Sequence, residues 1–265
     1  MKTVLRIGIA RANIELRQLV RDREGAFWTL VFPVVLMVIF GSVFGSQHLG
    51  HTGVTFAQYF VAGMIASGVM YTAFQNIAIW IPQERDDGTL KRLRGLPMPK
   101  AAYFVGKIGV VLTTFVFQTL VLLLTGALFY GIHIPTGFDT WWRFTWIAAL
   151  GLTSCTLLGI AFSSLPRTGR GAAAVTTPVV LVLQFGSGVF FRYNDVPHWM
   201  QQFAAIFPLK WLTQGMRSVF LPPEAAALEV SHSYETGRTA LVLAAWSIAG
   251  ALLAVRTFRW TRREG

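Results

Sequence analysis

The stretch ERDDGTLKRLRGLPMPKAAYFVGK, Glu84–Lys107, carries nine charged side chains and separates two long apolar runs. The chain as a whole is only 13% charged and 54% hydrophobic, with a mean hydropathy of +0.52. Soluble domains carry roughly 25% charged residues. Charge gathered into one short segment between apolar runs is the pattern of a loop between two membrane crossings. Within it, Asp86 or Asp87 can cap a short helix, and acidic residues precede Lys91, Arg92 and Arg94, the order that the helix dipole favours. Gly95 can end that helix, with Pro97 and Pro99 beyond it. Leu90 and Leu93 then share a face. A helix of about eight residues spans roughly 12 Å, enough to fill a groove on a partner. The same residues also fit a solvated loop whose positive charge only sets topology.

Working outward, six stretches are apolar enough to cross a bilayer, which takes about 20 residues each: 26–45, 56–81, 104–131, 143–165, 172–191 and 238–255. Residues 1–25 hold six Lys/Arg and precede a run too long for the core of a signal peptide, so the first stretch is expected to remain as an anchor. Pro33 and Pro178 lie inside spans, where neighbouring helices can satisfy freed backbone groups. Segments 1–25, 82–107, 166–171 and 256–265 hold 6, 6, 2 and 4 Lys/Arg; the alternating segments 46–55, 132–143 and 192–238 hold 0, 1 and 4. Positive residues stay inside, so both termini are expected in the cytoplasm. Trp28 and Trp80 then fall near the inner interface, and Trp141, Trp142 and Trp146 near the outer one.

Two further segments carry organisation. Before the first span, Leu5, Ile9, Ala12, Leu16 and Leu19 recur at helical spacing among arginines, the pattern of an amphipathic helix on the inner membrane surface. In the outer segment 192–236, Trp199, Met200, Phe203, Ile206 and Phe207 precede Trp211, Leu212, Met216, Val219 and Phe220. Two short amphipathic helices broken at Pro208 fit this spacing, folded back into the outer interface or capping a cavity.

Absences narrow the function. All twelve Asp/Glu lie outside the six stretches, so the buried acidic relays of ion-driven pumps are missing. His48, His51, His133, His198 and His232 all fall in outer loops, leaving Ser67 and Ser187 no base for hydrolysis. His48 and His51 lack cysteine or carboxylate neighbours, so no metal site is expected. Cys155 sits alone in an apolar run and forms no intrachain disulfide. Gly106-Lys107 stands where a phosphate-binding loop would need it, but Ala101 replaces the first glycine and Ile108 the Ser/Thr. Basic residues confined to short gaps speak against a nucleic-acid partner. If the chain performs work, its energy comes from another polypeptide.

The spans carry packing devices: Gly63 and Ser67 as a small-xxx-small pair, and Gly186 and Gly188 in the fifth stretch. These serve packing within one subunit or dimerisation equally well. Uncharged Gln75, Asn76, Gln118 and Gln184 can line a passage or bond to neighbouring helices. A passage without charge suits an amphipathic or apolar cargo.

Together these features resemble the permease subunit of an ABC-2 type transporter, with a type V exporter-like transmembrane domain. The basic helix before the first span carries part of the likeness. So does ERDDGTLKRLRGLPMPKAAYFVGK, with its Glu-Arg, Gly-Thr, Leu, Pro and Gly-Lys, and FGSGVFFRYNDVPHWMQQFAAIFPLKWLTQGMRSVF after the fifth span. The resemblance implies an all-α membrane protein with six transmembrane helices. A connecting helix (1–25) precedes a transmembrane domain (26–265) whose outer helical segment (192–236) is re-entrant. It implies a cytoplasmic coupling helix that meets a separate ABC ATPase subunit through Glu84, Arg85, Asp87, Gly88, Thr89, Leu90 and Leu93. It places Gly63, Ser67, Tyr71, Gln75, Thr177, Gln184 and Phe185 along the substrate route and the interface with a second permease copy or paralogue. ATP and Mg would bind the partner ATPase, with no cofactor, catalytic residue or metal on this chain. The implied function is export of a hydrophobic or amphipathic substrate (drug, antibiotic or lipid-like) across a bacterial plasma membrane, in contact with membrane lipid. A lipid-linked polysaccharide is the alternative cargo; an intramembrane enzyme or a scaffold is the alternative class.

Overall fold

Hydropathy of this kind leaves the backbone one economical solution in lipid, the helix, because every N–H and C=O must bond within its own segment. The computed structural model describes residues 2–132 and 134–260, without the side chains of Lys2 and Trp28. His133, the side chain of Trp28 and the basic residues after Trp260, named above for their sidedness, lie outside the described residues. Among the described residues ten helices carry the fold: α1 (Lys2–Arg21), α2 (Arg23–Phe44), α3 (Phe56–Asp86), α4 (Thr89–Gly95), α5 (Lys100–Tyr130), α6 (Phe138–Phe162), α7 (Ala172–Gly186), α8 (His198–Ile206), α9 (Pro208–Phe220) and α10 (Thr236–Thr257). A short bridge between His48 and Thr55 closes the α2–α3 loop.

Five of these, α2, α3, α5, α6 and α10, are long and apolar enough to cross a membrane. The fifth expected stretch, 172–191, is helical only over the 15 residues of α7, about 22 Å. Its helix stops where Gly188 takes a left-handed φ of 72°, which turns the chain toward the outer segment.

α3 is the central element, with 72% of its apolar window buried, against 24% for α2 and 22% for α10, which leave most of their surface exposed. A capping box starts it: Thr55 accepts from the Gln58 N–H at 3.4 Å, and Gln58 Oε1 accepts from the Thr55 N–H at 2.9 Å. Midway, Met70–Gln75 forms a π-helical turn, a feature that recurs at functional sites.

Two expectations change. α1 is packed along α5 through Gly8, Ala12, Glu15 and Leu19, with a Cβ at Gly109 only 2.9 Å from that of Ala12, while Leu5 and Ile9 of the expected apolar face stay exposed. The outer pair of helices does break at Phe207–Pro208, but α9 is buried on every side, between α3, α6 and α10. Its polar side chains, Lys210, Gln214 and Arg217, point into protein because each finds a partner there. α8 keeps an exposed apolar face of Trp199, Phe203 and Ile206.

Candidate functional site

The charged end of α3 holds the site together. Successive helix residues project about 100° apart, so Glu84, Arg85 and Asp86 reach three different neighbours. Glu84 accepts from Lys107 Nζ at 2.7 Å and from the Tyr103 hydroxyl at 2.7 Å, both on α5, and lies 3.4 Å from Arg11 Nη2 on α1. Lys107 also pairs with Glu15 at 2.9 Å, and Glu15 with Arg11 at 2.8 Å. Two cations and two carboxylates thus form a neutral, largely buried cluster; the Lys107 side chain is only 3% exposed. Arg85 donates to the Ser163 carbonyl after α6 and the Arg259 carbonyl after α10, each at 3.2 Å. Asp86 Oδ2 accepts from the Gly169 N–H at 2.6 Å, in the α6–α7 loop.

The loop beyond turns sharply. Gly88 adopts φ 78°, a region that costs other residues about 1–2 kcal/mol. Gly88 itself holds the N-cap position of α4, so neither Asp86 nor Asp87 is the cap; Asp87 Oδ1 accepts from the Thr89 N–H at 2.8 Å just before the helix. On α4, Leu90 is wholly buried and Leu93 half-buried, both in or against the apolar core. Lys91, Arg92, Arg94 and Leu96 face outward, with Leu96 55% exposed. The leucine face expected to reach a partner therefore serves as the root of α4, and its free face is basic.

The residues expected along the substrate route separate into two groups. A Cβ on Gly63 would lie 2.7 Å from the Val189 carbonyl oxygen, so this glycine admits the Gly188–Val189 turn against α3. Ser67 is buried one turn further on. Tyr71, on the π turn, donates to Gln184 Oε1 of α7 at 3.4 Å. Gln75 is half-buried, with its Oε1 shielded from solvent and without a hydrogen-bond partner among the described residues. Thr177 is half-buried, and Phe185 is exposed, on the outward face of α7 beside Val182 and Leu181. Tyr71 and Gln184 thus meet inside the chain, with Gly63 and Ser67 buried on the same helix as Tyr71, whereas Phe185 is exposed.

A second charged centre lies at the opposite end. Arg217, 1% exposed, pairs with Glu229 at 2.9 Å, donates to the Gly188 carbonyl and stacks 3.9 Å above the Tyr59 ring. Lys210 bonds to Gln214 and lies 3.7 Å over Trp211; burial pushes its ammonium group down. Burial pushes the Tyr193 phenol up to about 12, so it stays protonated and donates to the Gln201 carbonyl at 2.6 Å. Among the described residues no group of three His, Cys, Asp or Glu could hold a metal ion.

The chain belongs to the ABC-2 type transporter family, whose model matches residues 10–221. It is 25% identical over 197 residues to the inner membrane transport permease YadH of Escherichia coli, covering 73% of this chain and 75% of that one. It is 27% identical over 216 residues to the probable doxorubicin resistance ABC transporter permease protein DrrC of Mycobacterium tuberculosis, covering 79% of this chain and 75% of that one. Similarity extends to the putative transport permease YvfS of Bacillus subtilis, 22% identical over 197 residues, or 73% and 77% of the two chains. The chain is thus a multi-pass bacterial membrane protein and a transport permease subunit, of a family whose members work with ABC ATPases and often as dimers.

Proposed function

We propose that this permease exports a hydrophobic or amphipathic molecule, driven by ATP hydrolysed on a separate subunit, with six crossings and both termini in the cytoplasm. The observation that carries the proposal is the joint at the end of α3. A basic, outward-facing α4 is rooted by Leu90 in the core and continues directly into Glu84, Arg85 and Asp86, which hold α1, α5, α6 and α10. A push on α4 is transmitted to all of these elements at once. ATP and Mg belong to the partner. The uncharged Tyr71–Gln184 contact and the small residues at Gly63 and Ser67 suit a route for cargo without charge, next to a second permease chain.

The test is purification from native membranes in mild detergent, followed by reconstitution into vesicles. A stoichiometric P-loop chain and ATP-dependent movement of a lipophilic dye are expected. Repeated isolation alone, even after crosslinking in intact membranes, defeats the proposal.

A further inference from the structure

A cavity of about 440 Å³ opens beside the end of α3, lined among the described residues by Arg85, Arg167, Arg256 and Arg259 and by one carboxylate, Asp86. Asp86 already accepts the Gly169 N–H at 2.6 Å. Four guanidinium groups against one carboxylate leave the lining at a formal +3. Arg85 has its Nε and Nη1 committed to the Arg259 and Ser163 carbonyls, but its Nη2 is shielded from solvent and finds no acceptor among the described residues. A buried guanidinium donor without an acceptor is costly unless an anion meets it.

A second cavity of about 310 Å³ adjoins the first, and Ser164, Leu165 and Thr257 line both. Its character is the opposite. Phe74, Leu158, Phe162, Leu183 and Leu253 supply apolar walls, and no charged side chain among the described residues lines it. A cationic mouth leading into an apolar cleft between membrane helices is complementary to one kind of molecule: an anionic head joined to a hydrocarbon chain. We infer that this is a binding site for an anionic phospholipid, with its phosphate at the arginines and an acyl chain along the cleft. A zwitterionic lipid fills the cleft but brings an ammonium group to the arginines. A free phosphate satisfies the arginines and leaves the cleft empty.

The site clamps the same joint from the other side. An occupied cavity ties Arg85 on α3 to Arg256 and Arg259 at the end of α10 through the phosphate, in addition to the direct bond from Arg85 to the Arg259 carbonyl. The inference needs only that the helices cross a bilayer. It does not depend on the direction of transport, the cargo or the ATPase, so either can fail while the other stands.

The experiment uses the full chain, delipidated in detergent and titrated with phosphatidylglycerol, with phosphatidylcholine of the same chains, or with inorganic phosphate. Native mass spectrometry and thermal unfolding are the readouts. One phosphatidylglycerol retained per chain, with a raised Tm, is expected. Phosphatidylcholine is held more weakly and phosphate has no effect. The double variant R256Q/R259Q removes two exposed arginines whose side chains make no hydrogen bond or ion pair to the described residues. It should weaken phosphatidylglycerol roughly 25-fold, about fivefold per interfacial arginine, and leave phosphatidylcholine unchanged. L165D, at the exposed junction, should weaken both lipids. Equal binding of the two lipids with no effect of the double variant would overturn the assignment. So would phosphate acting as well as phosphatidylglycerol, which would mark a site for a free anion.

Discussion

Glu84 Oε1 and Lys107 Nζ lie 2.7 Å apart, joining the two ends of the charged loop across 23 residues of sequence. The loop is thus closed by an ion pair at its base. The pair sits in a cluster of two cations and two carboxylates, so its worth depends on the charge balance of all four.

Replacing Lys107 alone leaves two carboxylates against one arginine in a poorly solvated place. Lys107→Met should cost about 3–5 kcal/mol, the usual penalty for an orphaned buried charge. Lys107→Met with Glu84→Gln restores neutrality through Arg11 and Glu15, and should recover much of that loss. Thermal unfolding of Lys107→Met, Glu84→Gln and the double variant in detergent decides the matter; a double variant as unstable as the sum of the two singles would mean that the pair is not coupled.

The two faces of α4 should respond differently. Leu90→Asp places a charge in the core and should lower the Tm markedly, by a destabilisation of several kcal/mol. Lys91→Glu with Arg94→Glu alters only exposed side chains and should shift stability by less than about 0.5 kcal/mol. The same double variant should abolish stimulation of the partner ATPase. Normal coupling with reversed charge would remove α4 from the docking surface.

Arg217 uses the full width of its guanidinium, reaching Glu229, the Gly188 carbonyl and the face of Tyr59 together. Lysine offers one point charge and cannot make all three contacts. Arg217→Lys should therefore cost about 2 kcal/mol or more, and Arg217→Met, which strands Glu229, about 3–5 kcal/mol. Limited proteolysis of segment 192–236 reports the loss. Wild-type protection in the lysine variant would show that charge alone suffices.

Gly63 and Gly68 provide a paired test of close approach. An alanine at 63 meets the Val189 carbonyl oxygen at 2.7 Å, and the backbone must move. At 68 it meets only the end of the Gln118 side chain, at 3.3 Å, which can give way. Gly63→Ala should cost about 1–3 kcal/mol and Gly68→Ala under about 1 kcal/mol, measured by thermal unfolding.

The helices themselves were legible, because a run of about 20 apolar residues has few alternatives and local signals mark its ends. Pro208 breaking the outer pair is read from a single residue, whereas the turn before α4 falls on Gly88 and not on the aspartates expected to cap it. What hydropathy could not supply was the partner of each polar side chain. The Lys/Arg distribution groups Lys107 with a loop, although it stands two turns inside α5; a lysine so placed calls for a counter-ion, and that is the available signal. Lys210, Gln214 and Arg217 form a polar stripe at helical spacing, which reads as a water-facing edge until Glu229, Gly188 and Tyr59 are brought to it from distant sequence. Leu90 and Leu93 were correctly placed on one face, but periodicity carries no information on whether that face turns toward the chain or away from it.

The three consecutive side chains at the end of α3 also limit how that helix can move. Rotation of α3 about its own axis would pull Glu84 from Lys107, Arg85 from Ser163, or Asp86 from Gly169, so the charged end of the helix has almost no torsional freedom. Tilt and translation remain, with α1, α5 and the ends of α6 and α10 carried along as one body. In mechanical terms the joint is a keyed coupling rather than a pivot, and under the proposed function a stroke applied at α4 would reach the membrane helices without twisting them.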